Sequence, residues 1–323
     1  MRQLLHTASI VGLCFCSGAV AQTTAYPTKT VRIMVGFAAG GGIDAMARFY
    51  ARKFTESLDQ PFVVDNRPGA TGNIGADLVA KAPADGYTLL MTSTVHALNA
   101  SMFSKLPFDP VKDFAPISTV ATSPDCIAVH PSLPAKTLRE LIALAKVNPG
   151  AVNYASAGTG TLMHVGMELF NSMAGIKLGH IPYNGAGPST IATIGGQVPV
   201  LSTSLSTALP HAKAGKLRML AVTSAQRTPL APEYPSVAEA AGLQGYEALT
   251  WIVLLAPANT PPHVINKLNA EVERLQRVRE VREQLASQAW DAYRDAPATV
   301  AEFIKNEITK WNRVVREAGI KAE

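Results

Sequence analysis

The chain has 323 residues, 47% of them hydrophobic and 16% charged, with a formal net charge of +5. That balance describes a folded globular protein rather than a disordered chain, and no basic run interleaved with aromatics points to nucleic acid. The length is that of two domains.

The chain opens "MRQLLHTASIVGLCFCSGAVAQ": a single cation at Arg2, an apolar stretch from Ala8 to Val20, and a small-x-small site at Ala19-Val20-Ala21. This predicts a secretory signal over residues 1–21, too short for the ~20-residue apolar helix that spans a bilayer. Cys14 follows Leu13 and Cys16 follows Phe15, which does not suit a lipoprotein site. Cleavage would remove Arg2 and no acid, lowering the formal charge from +5 to +4. It would also remove Cys14 and Cys16, leaving Cys126 without a partner in its own chain. A chain this large builds its core without disulfides.

Short β-branched or apolar runs at 30–37, 60–66, 87–93 and 116–122 are bounded by Gly, Pro and Asp and read as buried strands. Between the first two, Met46, Tyr50, Phe54 and Leu58 recur every four residues, while Arg48, Arg52, Lys53 and Glu56 take other faces, as in an amphipathic helix. "ATGNIGADLVAKAPADG" supplies a shorter helix ending near Pro83. Strand alternating with helix is a parallel α/β unit. A second such series follows, with strands at 126–134, 152–158, 178–183, 195–204 and 217–223. Its helices include one capped by Thr137 with Glu140 three places on, and "LMHVGMELFNSMAG". A Pro- and Gly-rich connection leads to a strand at 248–257 and two amphipathic helices, Pro261 to Gln288 and Pro297 to Ala318. The expected layout is two α/β lobes, 26–123 continued by 228–323, with 124–227 inserted. A hinge would join them and a cleft would lie between them, fed by the strand-to-helix loops of both.

"GFAAGGGID" places Gly40, Gly41 and Gly42 where the first strand ends and the first helix begins, with Asp44 as its cap. Glycine lets main-chain N–H groups converge on an anion at a helix N-terminus. The dinucleotide spacing Gly-x-Gly-x-x-Gly is missing, although Asp65 does follow the second strand, and there is no Gly-Lys-Ser/Thr phosphate loop. A ligand-free tight turn is the plain alternative. "YASAGTGTLMH" repeats the arrangement with Ser156, Gly158, Thr159, Gly160 and Thr161. "TSTVH" adds the hydroxyls of Thr92, Ser93 and Thr94, and "PYNGAG" adds Tyr183 and a further glycine turn.

Catalytic patterns are weak: no Gly-x-Ser-x-Gly, His-Glu-x-x-His or Cys-x-x-Cys occurs. His96, His164 and His180 are better read as structural than catalytic, Cys126 as a buried small hydrophobe, and no metal or other cofactor is expected.

Several long motifs in order carry a resemblance over nearly the whole chain: "YPTKTVRIMVGFAAGGGIDAMAR", "VVDNRPGATGNIGADLVAKAPADGYTLL", "LPFDPVKDFAPI", "GHIPYNGAGP" and "LPHAKAGKLRMLAVTS". These resemble the substrate-binding proteins of the tripartite tricarboxylate transporter group, the Bug receptors. The resemblance implies a periplasmic, monomeric, type II binding-protein fold that clasps a small carboxylate and delivers it to integral membrane transporter subunits. Carried over, it names Phe37, Gly41 and Gly42 on the first turn and Ser156, Gly158 and Thr159 on the second, with His164, Thr92, Ser93 and Thr203 added. Two departures bear on the ligand. Ala39 stands where the family has Pro, and Pro199 and Thr203 stand where relatives carry acids, which leans toward a plain carboxylate over an amino acid. A sensor for a membrane kinase would use the same clam, and a cleft hydrolase using Ser156 and His164 is the third reading.

Overall fold

The structure is a computed structural model and describes residues 26–293 and 295–320. The expected signal, residues 1–21, lies outside the described residues.

The first lobe begins β1 (Val31–Val35), α1 (Gly42–Leu58), β2 (Phe62–Asn66), α2 (Asn73–Ala80), β3 (Thr88–Ser93) and α3 (Val95–Met102). β1 pairs in parallel with both β2 and β3. Side chains alternate across a strand, so Val31, Ile33 and Val35 pack with Met46, Tyr50 and Phe54 of α1, while Met34 joins a core on the other face.

The next strand, β4 (Phe114–Val129), is sixteen residues long and belongs to both lobes. Phe114 to Pro124 pair antiparallel with β9 (Leu249–Pro257), which itself runs antiparallel to β3. Asp125 to Val129 pair instead with β7 (Val200–Ser204) and β8 (Arg218–Val222). The two separate strands expected at 116–122 and 126–134 are thus one. "TSPD" has turn composition, but β9 on one side and β7 with β8 on the other keep the backbone extended through it.

The second lobe holds α4 (Leu138–Val147), β5 (Asn153–Ser156), α5 (Leu162–Ala174), β6 (Gly179–Pro182), α6 (Ala186–Ile194), α7 (Leu205–Lys213) and α8 (Val237–Ala241). Its sheet runs β6-β5-β7-β4-β8, and the first runs β2-β1-β3-β9-β4. Both follow one plan: second, first and third parallel strands, an antiparallel strand arriving from the other lobe, then the fourth. In each sheet the chain reverses its lateral progress at the first strand, so the loops after β1 and β5 sit at topological switch points.

Two boundaries differ from the sequence expectation. α8 packs on α4 and β8, so residues after 228 stay with the second sheet until β9 begins at Leu249. The helix expected from Pro261 to Gln288 is two, α9 (Pro262–Arg277) and α10 (Arg279–Ser287), parted by an extended Val278 at φ −72°, ψ 124°.

The last helix, α11 (Pro297–Glu317), packs on α3, β4 and α5 and so touches both lobes. It is pinned by Glu307, whose buried carboxylate accepts from the indole nitrogens of Trp251 (3.1 Å) and Trp311 (3.0 Å) and pairs with Lys310. Three donors around one carboxylate offset the cost of burying it.

Candidate functional site

The first turn is built by Asp44. Gly41, not Asp44, is the N-cap of α1, and it offers no side chain. Asp44 lies one turn in and is 2% exposed. Its carboxylate accepts from the Gly40 N–H (2.9 Å), Arg48 Nε (3.0 Å) and Asn66 Nδ2 (3.0 Å). Burial alone would raise this carboxyl; the bonds from Arg48, Gly40 and Asn66 outweigh it and hold the group below the usual carboxylate range. Asn66 also donates to the Phe37 carbonyl (3.0 Å). One acid thus ties the turn to β2, and the N–H groups of Gly41, Gly42 and Ile43 have no partner among the described residues. A helix start of this kind favours an anion.

Behind it, glycine is obligatory where main chains touch. A Cβ on Gly36 would lie 2.5 Å from the Gly72 carbonyl oxygen, and one on Gly75 would lie 2.8 Å from Gly36 Cα. This contact seats the "RPGATG" loop beside the first turn, with the Phe37 ring over Gly72. Within the loop Ala70 and Thr71 take left-handed φ values of 46° and 53°. Strain of this order costs about 1–3 kcal/mol per residue and persists where the surroundings over-determine it.

The second turn is closed on itself. Ser156 Oγ accepts from the Gly158 N–H (3.1 Å) and lies 2.7 Å from His180 Nε2. His164 Nδ1 accepts from the Gly160 N–H (3.1 Å). Thr161 caps α5 by accepting from the His164 N–H. The two imidazoles stack at 3.8 Å with planes 11° apart, and Tyr154 stacks on His180 at 5.0 Å. Burial lowers both histidines to about 4, with the neighbouring His180 adding to the effect on His164. Both are therefore neutral at pH 7, as an accepting Nδ1 on His164 requires.

Between the lobes is a cavity of about 490 Å³. Thr71, Val95, Met102 and Phe103 form its first-lobe wall; residues 157–161 and 182–185 form the other. No Asp, Glu, Lys, Arg or His lines it. Met102 reaches across: a Cβ on Gly160 would lie 2.7 Å from its sulfur.

Of the residues expected to bind ligand, Gly158 and Thr159 line this cavity. Phe37 adjoins it through Gly72, and Gly41 and Gly42 are exposed at the start of α1, outside the lining. Ser156 and His164 stand behind the second turn, with Ser156 wholly buried. Its hydroxyl is engaged by Gly158 and His180, an arrangement that shapes the loop. Thr92 and Ser93 end β3, each 6% exposed, with no side-chain hydrogen bond among the described residues. Thr203 requires a correction: it is 0% exposed, its hydroxyl has no partner, and it sits opposite Cys126. The two-residue period of β7 sends it to the face shared by Leu201 and Cys126, inside an apolar cluster. His96 is buried, bonded to the Pro110 carbonyl (2.8 Å) and packed between Phe108 and Phe114, a structural residue.

No sequence pattern points to Thr71 or to the α3 wall. α3 is short and weakly patterned, and only the folding of "RPGATG" over Gly36 brings Thr71 to the cavity.

Two lobes built on one strand order, joined by a shared strand and parted by a lined cavity, define a two-lobed solute-binding protein. Residues 46–320 match the model for the tripartite tricarboxylate transporter family receptor, and the chain belongs to that family. It is 35% identical over 318 residues to Protein BugT of Bordetella pertussis, covering 97% of each chain. Among solved structures, Rhodopseudomonas palustris Rpa4515 with adipate is 34% identical, TM-score 0.76, covering 92% of this chain and 99% of that one. MatC of the same organism with bound malate is 31% identical, TM-score 0.72, covering 90% and 100%. The fold is the type II periplasmic-binding-protein fold expected from the motifs.

Proposed function

We propose that this protein is a periplasmic, monomeric receptor that captures a small carboxylate between its lobes and presents it to the integral membrane subunits of a tripartite-type secondary transporter. The observation that carries the reading is the interlobe cavity, free of charged side chains, walled on one side by the strand-to-helix turn after β5 and on the other by the Thr71 loop and α3, that loop being packed on the matching turn after β1. The first turn, joined to the Thr71 loop through the Gly36–Gly72 contact, offers unpaired main-chain donors to an anion, and the second turn forms part of the opposite wall. The adipate and malate seen in two relatives support the ligand class. Contacts to both walls favour the closed arrangement only by the difference in affinity between closed and open forms. The membrane partner reads that closed arrangement.

Calorimetry against adipate, malate, benzoate and glutamate, with small-angle scattering on any acid that binds, tests this. Binding with compaction supports the reading; heat-silent titrations and no thermal shift across the panel would end it. Recovery of the bound acid chemically unchanged separates a receptor from a cleft hydrolase.

A further inference from the structure

We propose that Thr71 contacts the bound acid and sets specificity on the first-lobe wall, a role that rests on the carboxylate-receptor reading. Of the first-lobe residues lining the cavity, Val95, Met102 and Phe103 are apolar, and Thr71 is the one polar side chain. Its residue is exposed, and its hydroxyl makes no hydrogen bond among the described residues. Across the cavity stand the Gly158 to Thr161 turn and Tyr183.

The backbone that presents this hydroxyl is unfavourable for the residue it carries. Gly69, Ala70, Thr71 and Gly72 have φ values of +135°, +46°, +53° and +89° in succession. Glycine enters this region freely; a β-branched side chain does not. The surroundings hold Thr71 there on both sides. Gly72 is wedged between Gly36 and the Phe37 ring. The Thr71 carbonyl accepts from Asn99 Nδ2 (2.9 Å), which also donates to Asn73 Oδ1 (2.8 Å). Asn99 is buried, and its own Oδ1 has no partner, so its amide secures the loop while leaving an acceptor unsatisfied. A strained position that a glycine would fill without strain, held in place at a cavity wall and carrying that wall's one hydroxyl, points to a donor aimed at an oxygen of the ligand.

Three variants separate strain from recognition. Thr71→Gly relieves the backbone and removes the hydroxyl; Thr71→Val keeps the β-branched shape without it; Thr71→Ser keeps it. Melting curves and calorimetry with adipate, malate and benzoate are the readouts. The expected result is a melting temperature about 2 °C higher for Thr71→Gly. Affinity falls about tenfold in Thr71→Gly and Thr71→Val and stays within about threefold in Thr71→Ser, as for one lost hydrogen bond. Wild-type affinity in Thr71→Val, or a lower melting temperature for Thr71→Gly, overturns the proposal while leaving the receptor reading intact. Wild-type protein that binds none of these three acids and no glutamate overturns both.

Discussion

His164 accepts the Gly160 N–H at 3.1 Å while its ring lies 3.8 Å from that of His180, so one imidazole both shapes the second turn and crowds another imidazole. Burial keeps both rings neutral, with folded values of about 4 against an ordinary 6.5. As pH falls below 6.5 the unfolded chain takes up protons that the folded chain refuses, so stability falls between pH 6.5 and 4. In His164→Asn, Asn Oδ1 stands in for Nδ1 without titrating. Its melting temperature should fall less steeply over that window, with binding at pH 7.5 within about threefold of wild type. Melts at half-unit pH steps check this.

Asp125 bends stability the other way. It occupies the residue of β4 where pairing passes from β9 to β7 and β8, is fully enclosed, and its Oδ2 has no partner. Burial raises its carboxyl from 3.8 to about 7. A raised folded value gives stability that is complete below the unfolded value and lost as pH rises through about 7. Asp125→Asn should therefore flatten the decline between pH 5 and 8. Denaturant midpoints at those two pH values, compared with wild type, decide it.

Asp44→Ala removes the acceptor that Gly40, Arg48 and Asn66 share. The expected cost is about 2–4 kcal/mol, because three donors lose their partner at once. Affinity should fall as well, since the first turn then keeps only the Asn66 to Phe37 bond to β2. Urea unfolding and calorimetry on the same preparation check both parts.

Gly36→Ala places a Cβ 2.6 Å from Gly72 Cα, a backbone contact that no side-chain rotation relieves. A loss of about 3 kcal/mol is expected. Gly40→Ala meets nothing within 4 Å, so any effect there comes from its φ of +88° alone and should be smaller. Chemical denaturation of the pair distinguishes packing from conformation.

Much of this was legible in the sequence because it is local. Val31, Ile33 and Val35 announce a buried strand by alternation, Met46, Tyr50 and Phe54 announce α1 by spacing, and the glycines mark the two turns. Tertiary structure decided what needs a second strand or a distant loop to be defined. "TSPD" falls at the expected break between two strands until β9, β7 and β8 hold it straight. Thr203 reads as a cleft residue until its pairing with Cys126 turns it inward. Thr71 sits in a run of turn composition, and only the Gly36–Gly72 contact lifts it to the cavity wall. Composition and periodicity fixed which segments become strands and helices, since propensity and burial act residue by residue. Which hydroxyls and amides face the cavity was decided by register and by glycine-to-glycine backbone contacts, which bring together residues far apart in the chain.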